Sequence, residues 1–398
     1  MWFDPHTVCF AEDPYPLYRR LRDDFPVYHW QEGDESLWIL SRYDDVSEAL
    51  GDWRTFSSIG SLSNRRPAPG ARGAAHAHQL ITTDPPYHDE LRRVVRESFS
   101  PKAIHTLEGK IERDVGIWLS GLRSRETIDI AADVAWPMTL AIISDIIGIP
   151  EEDRSDVLSW YQTAEYSEAA DQSAQALSSY TDYFDQLGSE RLARPRDDLI
   201  SHLMSAVARA ELSRPDALVL CKDLFEGGVD VPANLIANAV LSLADHPEQR
   251  AFLANGDVTQ VRLGIEELAR FDSPIQAIPR VTTDSITRCG VVIPPGETVV
   301  LVLGAANRDG RRFADPDTLD VSRPGTRNVA FGAGVHFCIG APLARLEARV
   351  ALPKLLAAIP DYKVVAPVER PGSDVMRALL NLELAVPAGK ARVGAASR

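Results

Sequence analysis

The chain has 398 residues, of which 45% are hydrophobic and 25% charged, and its formal net charge is −15 at pH 7. This is the composition of an ordinary globular protein with a large core. The acidic balance disfavours nucleic acid as a partner, because binding to phosphates needs concentrated Lys and Arg. The four cysteines lie far apart and form no CxxC pair, which disfavours a disulfide framework and a zinc site. No apolar segment approaches the roughly 20 residues that cross a bilayer, and the start lacks a signal-peptide layout, so we expect a cytoplasmic protein without a membrane span.

The first part of the chain predicts short elements and one long loop. The segment YPLYRRLRDD is typical of a helix, and LWILSRY of a strand. From Ser58 to Leu80 the sequence is rich in Gly, Pro, Ala and Arg and has no apolar period, so we expect a long, functional loop. In DPPYHDELRRVV, Asp84 is predicted to cap a helix that has a proline in its first turn.

The rest of the chain is predicted to be mostly helical. Helical patterns dominate from Asp84 to about residue 270, and from Ser273 the bias shifts to short strands separated by Pro-Gly turns. A glycine-bearing loop and a long helix, APLARLEARVALPKLLAAI, follow, and residues 388–398 are predicted to be a disordered tail. The fold class is therefore mainly α with a smaller β portion toward the two ends, in one domain over residues 1–398.

A proline lies inside one apolar helical segment, EGGVDVPANLI. Pro232 has no amide proton for the carbonyl of Gly228, and its ring clashes with that carbonyl, which in an ordinary helix costs about 3 kcal/mol. A plain kink in a core helix would explain the proline. It would not explain the acid on the same turn, Asp230.

The clearest chemical signal is a cysteine in a glycine-rich turn, FGAGVHFCIGAPLAR. Cys338 comes just before a helix, and the glycines allow positive φ angles, so that amide protons point at the sulfur. The positive end of the helix dipole also favours thiolate over thiol. Such a thiolate suits an axial ligand of heme iron, whereas an isolated cysteine would more often be a small buried hydrophobe. The glycines of this turn are Gly332, Gly334 and Gly340.

The ungapped pattern FGxGxHxCxGxxLAR resembles the motif of the cytochrome P450 family, in particular its soluble bacterial members, over nearly the full chain. The resemblance implies the P450 fold, a helix-rich triangular prism around a buried heme. It also implies heme b as the cofactor, with Cys338 as the axial metal ligand. Phe331 and Gly332 would bind the cofactor from the same loop.

Two further motifs agree with this resemblance. EELARF matches the ExxR motif of the family, which gives Glu267 and Arg270 a structural role in a buried network with the segment FADPDTLDVSR. In HDELR, two cations lie four residues apart and face the same way. The resemblance implies that they hold the heme propionates together with an arginine in IPRVTT and the histidine two residues before the cysteine. These four residues are His88, Arg92, Arg280 and His336.

The resemblance also identifies the proline-containing segment as the central helix that crosses the heme, opened locally to form a groove for dioxygen. Gly227, Gly228 and Asp230 match the family pattern, but Val231 stands where the family usually has threonine. We expect Gly228, Asp230 and Val231 to form the catalytic groove. Gly228 would present its carbonyl to a cavity, and Asp230 would lead to solvent.

Valine has nearly the shape of threonine but cannot donate a proton. Our leading hypothesis is that the substrate, or water that it positions, supplies the missing hydroxyl. Two alternatives remain open at this stage, namely radical coupling of aromatic rings without oxygen insertion and direct use of hydrogen peroxide. A heme-binding sensor without turnover is a fourth hypothesis, from a different class of protein.

The resemblance places an apolar substrate pocket near the iron, with a few polar contacts. We expect a mid-sized natural-product-type substrate, with aromatic compounds among the candidates, and Asn381 and the loop arginines Arg65, Arg66 and Arg72 as further contacts. The predicted pocket residues are Ile275, Gln276, Ala277, Ile278, Leu379 and Leu380.

No electron-transfer domain is fused to the P450-like sequence, so the resemblance implies a separate ferredoxin and ferredoxin reductase. Arg345 and Arg349, on the helix after the cysteine, would either form part of a docking surface for an acidic ferredoxin or simply solvate that helix.

Overall fold

The structure is a computed structural model that describes residues 13–33, 35–61, 78–122, 125–167, 169–325, 327–365, 367–368, 370 and 375–387. The predicted tail, residues 388–398, and Arg65, Arg66 and Arg72 of the predicted loop lie outside these ranges. As expected, helix predominates. The α-helices are α1 Tyr15–Asp24, α2 Tyr43–Gly51, α3 Tyr87–Val95, α4 Pro101–Thr106, α5 Glu108–Leu122, α6 Trp136–Ile147, α7 Arg154–Tyr166, α8 Ala170–Ala193, α9 Leu199–Ala208, α10 Arg214–Ser242, α11 Pro247–Asn255, α12 Val258–Phe271, α13 Leu303–Ala306 and α14 Ala341–Ala358.

The strands come mainly from the two ends of the chain. They are β1 Val27–Glu32, β2 Glu35–Leu40, β3 Phe56–Ser57, β4 Thr127–Asp129, β5 Ala277–Thr282, β6 Ile286–Arg288, β7 Val291–Ile293, β8 Thr298–Val302, β9 Lys363–Val364 and β10 Glu383–Ala385. The largest sheet has the order β1-β2-β8-β5-β3, in which only β2 and β8 are parallel. A three-stranded sheet, β4-β10-β9, joins the middle of the chain to its end, and β6 pairs with β7.

Local sequence signals explain several helix starts. Asp257 caps α12 through the backbone N–H groups of Thr259 and Gln260, and the side chain of Gln260 accepts from the backbone N–H of Asp257, which completes a capping box. Ser213 caps α10 by accepting from the N–H of Asp216.

The predicted cap at Asp84 is wrong. Helix α3 begins at Tyr87 without a side-chain cap. The Asp84 carboxylate instead accepts from the Ser57 hydroxyl and from the Ser58 backbone N–H at 3.0 Å. These bonds pull the carboxylate toward β3 and hold the start of the predicted loop against α3.

Helix α10 runs through the main hydrophobic core. It packs on α6, α9, α12 and α14, and its residues from Pro232 to Val240 are all buried. A second apolar cluster lies on the face of the large sheet that packs against α2. None of the helices formed by the described residues combines the length and the hydropathy needed to cross a membrane.

Candidate active site

The loop before α14 depends on glycine conformations. Gly332 and Gly334 have φ angles of +70° and +68°, which other residues rarely adopt. A Cβ atom at Gly334 would also lie 2.7 Å from the carbonyl oxygen of Leu50 and 2.9 Å from Cα of Gly51, at the end of α2. The backbone N–H of Cys338 donates to the carbonyl of Phe331 at 2.9 Å and closes the loop. The cysteine is therefore held by backbone that only glycine permits.

The Cys338 side chain is accessible, and its pKa is raised above the ordinary value of a thiol. Burial by surrounding protein atoms is the main cause of that rise. The backbone N–H groups of Gly340 and Ala341 bind the sulfur and lower that pKa, as do the charges of Arg92 and Arg345. The protein thus supplies hydrogen bonds and positive charge to a thiolate, while burial makes a free thiolate unfavourable. A bound cation would reverse that balance.

Four cationic or basic side chains meet beside this loop. The rings of His88 on α3 and His336 lie 4.4 Å apart between centroids, and Arg92, one turn after His88, donates to the carbonyl of Phe337 at 2.7 Å. Burial first, and then the charges of Arg280 and His88, lower the pKa of His336 to about 4. Burial likewise lowers the pKa of Arg280 to about 10. Positive charge is thus unfavourable in this cluster until an anion joins it.

The cluster has unused hydrogen-bonding capacity. Nε2 of the fully buried His88 has no hydrogen-bond partner among the described residues. The guanidinium of Arg280 donates one hydrogen bond to the residues that the structure describes, namely to the carbonyl of Pro279 at 2.7 Å. Two carboxylates lie beside the cluster. Oδ1 of Asp89 is 3.0 Å from Nδ1 of His88, and Asp84, which already accepts from Ser57 and Ser58, is 3.7 Å from Nε2 of His336. These donors fit the two carboxylates of a heme.

The central helix is continuous, contrary to the expected local opening. Helix α10 passes through Pro232 without interruption. The hydroxyl of Thr139 on α6 donates to the carbonyl of Val229 at 2.8 Å, so a neighbouring helix satisfies a carbonyl beside the proline. Gly227 and Val231, one turn apart, are both accessible, whereas Pro232 and the turns that follow are buried. Gly227 and Val231 therefore lie on an accessible patch of α10.

Gly228 packs against protein and does not simply leave space for a ligand. A Cβ atom here would lie 2.5 Å from Cδ1 of Ile143 on α6, whereas one at Gly227 would meet no atom within 4 Å. A methyl group at position 227 would thus meet no atom of the described residues, whereas glycine at position 228 is required by helix packing.

Asp230 does not reach solvent, contrary to expectation. Its side chain is fully buried. Oδ2 accepts from the hydroxyl of Tyr161 at 2.8 Å and from that of Tyr166, both on α7, and Asn234 donates to Oδ1. Burial raises the pKa of Asp230 to about 6, against the opposing effect of these hydrogen bonds. The two tyrosines were not predictable from the sequence, because side chains five positions apart on a helix do not lie on the same face.

Comparison with known proteins agrees with this geometry. A sequence profile described as Cytochrome P450 matches residues 257–360. The chain is 36% identical to "Cytochrome P450 107B1" of Saccharopolyspora erythraea over 369 residues, which cover 90% of each protein. It is 35% identical to "Vitamin D(3) 25-hydroxylase" of Pseudonocardia autotrophica, over 90% of this chain and 89% of that one. The chain belongs to the cytochrome P450 family. It is thus an oxidoreductase of the monooxygenase type, whose cofactor is heme held by a cysteine thiolate.

Solved P450 structures have the same fold. The "tirandamycin C-bound P450 monooxygenase TamI" superposes with a TM-score of 0.87 at 29% identity, over 97% of this chain and 99% of that one. The predicted P450 fold, mainly α with a smaller sheet portion, is therefore confirmed.

The P450 motif ExxR lies in a buried ion network. Glu267 and Arg270 form a two-point pair at 2.7 and 2.8 Å, and both side chains are almost fully buried. Arg323 adds two contacts to Glu267 at 3.1 Å, and the N–H of Asp320 adds one at 3.0 Å. Arg270 also donates to the carbonyls of Asn307 and Pro316. The network joins α12 to the segment before the cysteine loop, in line with the structural role expected from the motif.

The predicted pocket residues of this P450 divide into two groups. Ile275, Ile278 and Leu380 are partly accessible and available to a pocket. Gln276, Ala277 and Leu379 are buried in the core and do not line one. Gln276 donates to the carbonyl of Ser273, and Ala277 packs with the cluster around Tyr18. The backbone N–H of Leu379 donates to Asn234 on α10 at 2.6 Å.

Proposed function

We propose that this P450 binds heme through the sulfur of Cys338, and that His88, Arg92, Arg280 and His336 bind the propionates. The observation that carries the proposal is the buried basic cluster with unused donors beside an accessible cysteine. Phe331 and Gly332 would lie against the ring. When bound, the heme activates dioxygen and supplies the oxidising chemistry. The chain supplies the thiolate, its N–H donors and the charges that neutralise the propionates.

The carbon monoxide spectrum of the reduced protein tests this assignment. Thiolate ligation gives a strongly red-shifted absorption, and we expect Cys338→Ser to abolish it. Cys289→Ser and Cys221→Ser are matched controls, one exposed and one buried, and should keep the spectrum. A red-shifted spectrum in Cys338→Ser would overturn the assignment.

We propose a mid-sized natural-product-type molecule as the substrate, with aromatic compounds among the candidates. Support comes from the names of relatives, one a vitamin D(3) hydroxylase and one a structure with tirandamycin C bound. The accessible apolar side chains Ile275, Ile278, Leu380 and Val231 would bind such a molecule and exclude water from it. A library screen that follows the heme absorption change on substrate binding identifies the class.

The missing hydroxyl at Val231 supports proton supply by the substrate, or by water that it positions. Val231→Thr keeps the shape and adds a hydroxyl, and Val231→Ala controls for volume. We expect Val231→Thr to change both the product formed per reductant consumed and the peroxide released. Val231→Ala should not reproduce these changes. Unchanged values in Val231→Thr would refute this supply route. They would favour radical coupling of aromatic rings or direct use of hydrogen peroxide, which product analysis separates.

We propose a separate ferredoxin and ferredoxin reductase as the electron donors. The suggested docking residues already have partners within the chain. Arg345 pairs with Glu266 at 2.5 Å and stacks on Phe331, and Arg349 pairs with Glu108 at 2.9 Å. A docking surface therefore does not rest on these two arginines. Reductant consumption on addition of substrate distinguishes this enzyme from a heme-binding sensor without turnover.

A further inference from the structure

Asp230, which the P450 sequence pattern places at the catalytic groove, is bound by helix α7. Its Oδ2 atom accepts from two phenols, those of Tyr161 and Tyr166, and its Oδ1 atom accepts from Asn234. Among the described residues, neither lysine nor arginine forms an ion pair with it. The carboxylate is fully buried. Among the described residues, the two phenols are therefore the O–H groups in contact with Oδ2.

The two phenols differ in their access to solvent. Tyr161 is 6% exposed, and its ring packs edge-on against Phe225 of α10. Tyr166, the last residue of α7, is partly accessible. Of the two phenols that bind Oδ2 of Asp230, the Tyr166 phenol therefore belongs to the more accessible residue.

We infer that Tyr161 and Tyr166 are positioning residues of the reaction, which hold the Asp230 carboxylate on the α7 side of α10 and exchange its proton with solvent through the Tyr166 phenol. In each transfer, a hydronium ion on the accessible side of α7 gives a proton to the Tyr166 oxygen as the O–H proton of that phenol passes to Oδ2. The phenol stays neutral, a water molecule is left outside, and one proton has moved inward. The inference rests on the proposed function, because it gives Asp230 its role in oxygen chemistry.

The ionisation of Asp230 is tuned by the groups that face it. Burial raises its pKa to about 6, hydrogen bonds from Tyr166, Tyr161 and Asn234 lower it, and the charge of Glu165 on α7 raises it. Burial is the main cause that raises the pKa of Tyr161, and the charge of Glu226, one turn before Asp230 on α10, adds to that rise. Loss of a phenol that binds the ionised form must raise the pKa of Asp230 further.

Tyr166→Phe and Tyr161→Phe, singly and together, test the inference in the heme-loaded enzyme. Tyr15→Phe is the matched control, since the Tyr15 hydroxyl donates to another buried carboxylate, Asp272, at 2.5 Å. Infrared titration of carboxyl bands, assigned by loss in Asp230→Asn, reads the protonation of Asp230 without turnover. Product per reductant consumed and its solvent isotope effect read the reaction.

We expect Tyr166→Phe to raise the titration midpoint of Asp230 by about one pH unit or more and to lower product per reductant several-fold. Tyr161→Phe should shift the midpoint but retain exchange, and Tyr15→Phe should change neither. An unmoved midpoint in Tyr166→Phe overturns the inference, as does a moved midpoint with unchanged product per reductant. If Tyr166→Phe does not fold, 3-fluorotyrosine at position 166 keeps the hydroxyl and makes it more acidic. The midpoint should then fall, and a rise or no change would refute the contact. Failure of the proposed function is distinguishable, because it would remove the carbon monoxide signature and leave the infrared titration readable.

Discussion

Gly228 allows a direct test of why this P450 has a glycine pair in its central helix. An added methyl group would lie 2.5 Å from Cδ1, 2.6 Å from Cγ1 and 3.2 Å from Cβ of Ile143. Ile143 is fully buried and β-branched, so it cannot turn away without displacing α6 or its neighbours. Overpacking of this kind costs about 1–3 kcal/mol, and the better helix propensity of alanine returns about 0.5–1 kcal/mol. We expect Gly228→Ala to destabilise the protein by about 1–2 kcal/mol.

A double-mutant cycle with Ile143→Ala isolates this contact. Ile143→Ala alone should lower the free energy of unfolding by about 2–5 kcal/mol. It also removes Cδ1 and Cγ1, the two atoms closest to the added methyl group, so Gly228→Ala in that background should cost nothing further. Gly227→Ala is the control and should be neutral or slightly stabilising, because its methyl group would meet no atom within 4 Å. Urea unfolding of the heme-loaded enzyme measures each free energy. A Gly228→Ala variant as stable as wild type, with no coupling to Ile143, would refute the packing explanation. If ligand binding were also weakened, the glycine at position 228 would instead be explained by a role in the oxygen groove.

Two further predictions concern buried charge. Glu267→Ala leaves Arg270 and Arg323 without their carboxylate and should lower the free energy of unfolding in urea by about 3–5 kcal/mol. Glu266→Ala breaks the more accessible pair with Arg345 and should cost under about 1 kcal/mol. Similar costs for the two variants would contradict the proposed network. Burial raises the pKa of Glu226 from 4.5 to about 8, so the folded state keeps a proton that the unfolded state releases, and stability falls as pH rises through that window. The free energy of unfolding of Glu226→Gln should therefore match that of wild type near pH 4.5 and exceed it by about 1–2 kcal/mol near pH 8. The difference is reduced because the side chain is partly accessible to solvent. Equal stability of the two proteins at both pH values would refute the shift.

The sequence was most informative where one residue type alone can satisfy the backbone. The glycines around Cys338 predicted positive φ angles, and the structure has them at Gly332 and Gly334 but not at Gly340, whose φ is −80°. The close approach of Gly334 to the end of α2 was not predictable, because Leu50 and Gly51 lie far earlier in the chain. Local conformation was thus readable from the motif, and the long-range packing that requires it was not.

The direction of the side chains in the predicted pocket was the feature least predictable from the sequence. Successive side chains of a strand such as β5 point to opposite faces of the sheet, but which face meets the core depends on pairing with β8. That pairing buries Ala277 among the residues around Tyr18, while Ile278 remains partly accessible. Leu379 was assigned to the pocket for its apolar character. Its burial follows from a backbone hydrogen bond to Asn234 that composition cannot indicate.

The valine at position 231 and the enclosure of Asp230 are connected. A threonine at 231 would place a hydroxyl on α10 one residue from the acid, and this chain has none there. The hydroxyls that Asp230 does contact come from α7, a different helix, and one of them belongs to a partly accessible residue, Tyr166. If α7 moves away from α10, the carboxylate loses both phenols at once, and a buried ion without partners becomes unfavourable. On our inference, proton supply in this P450 therefore depends on the position of α7 relative to α10, which an acid and a hydroxyl on one helix would not require.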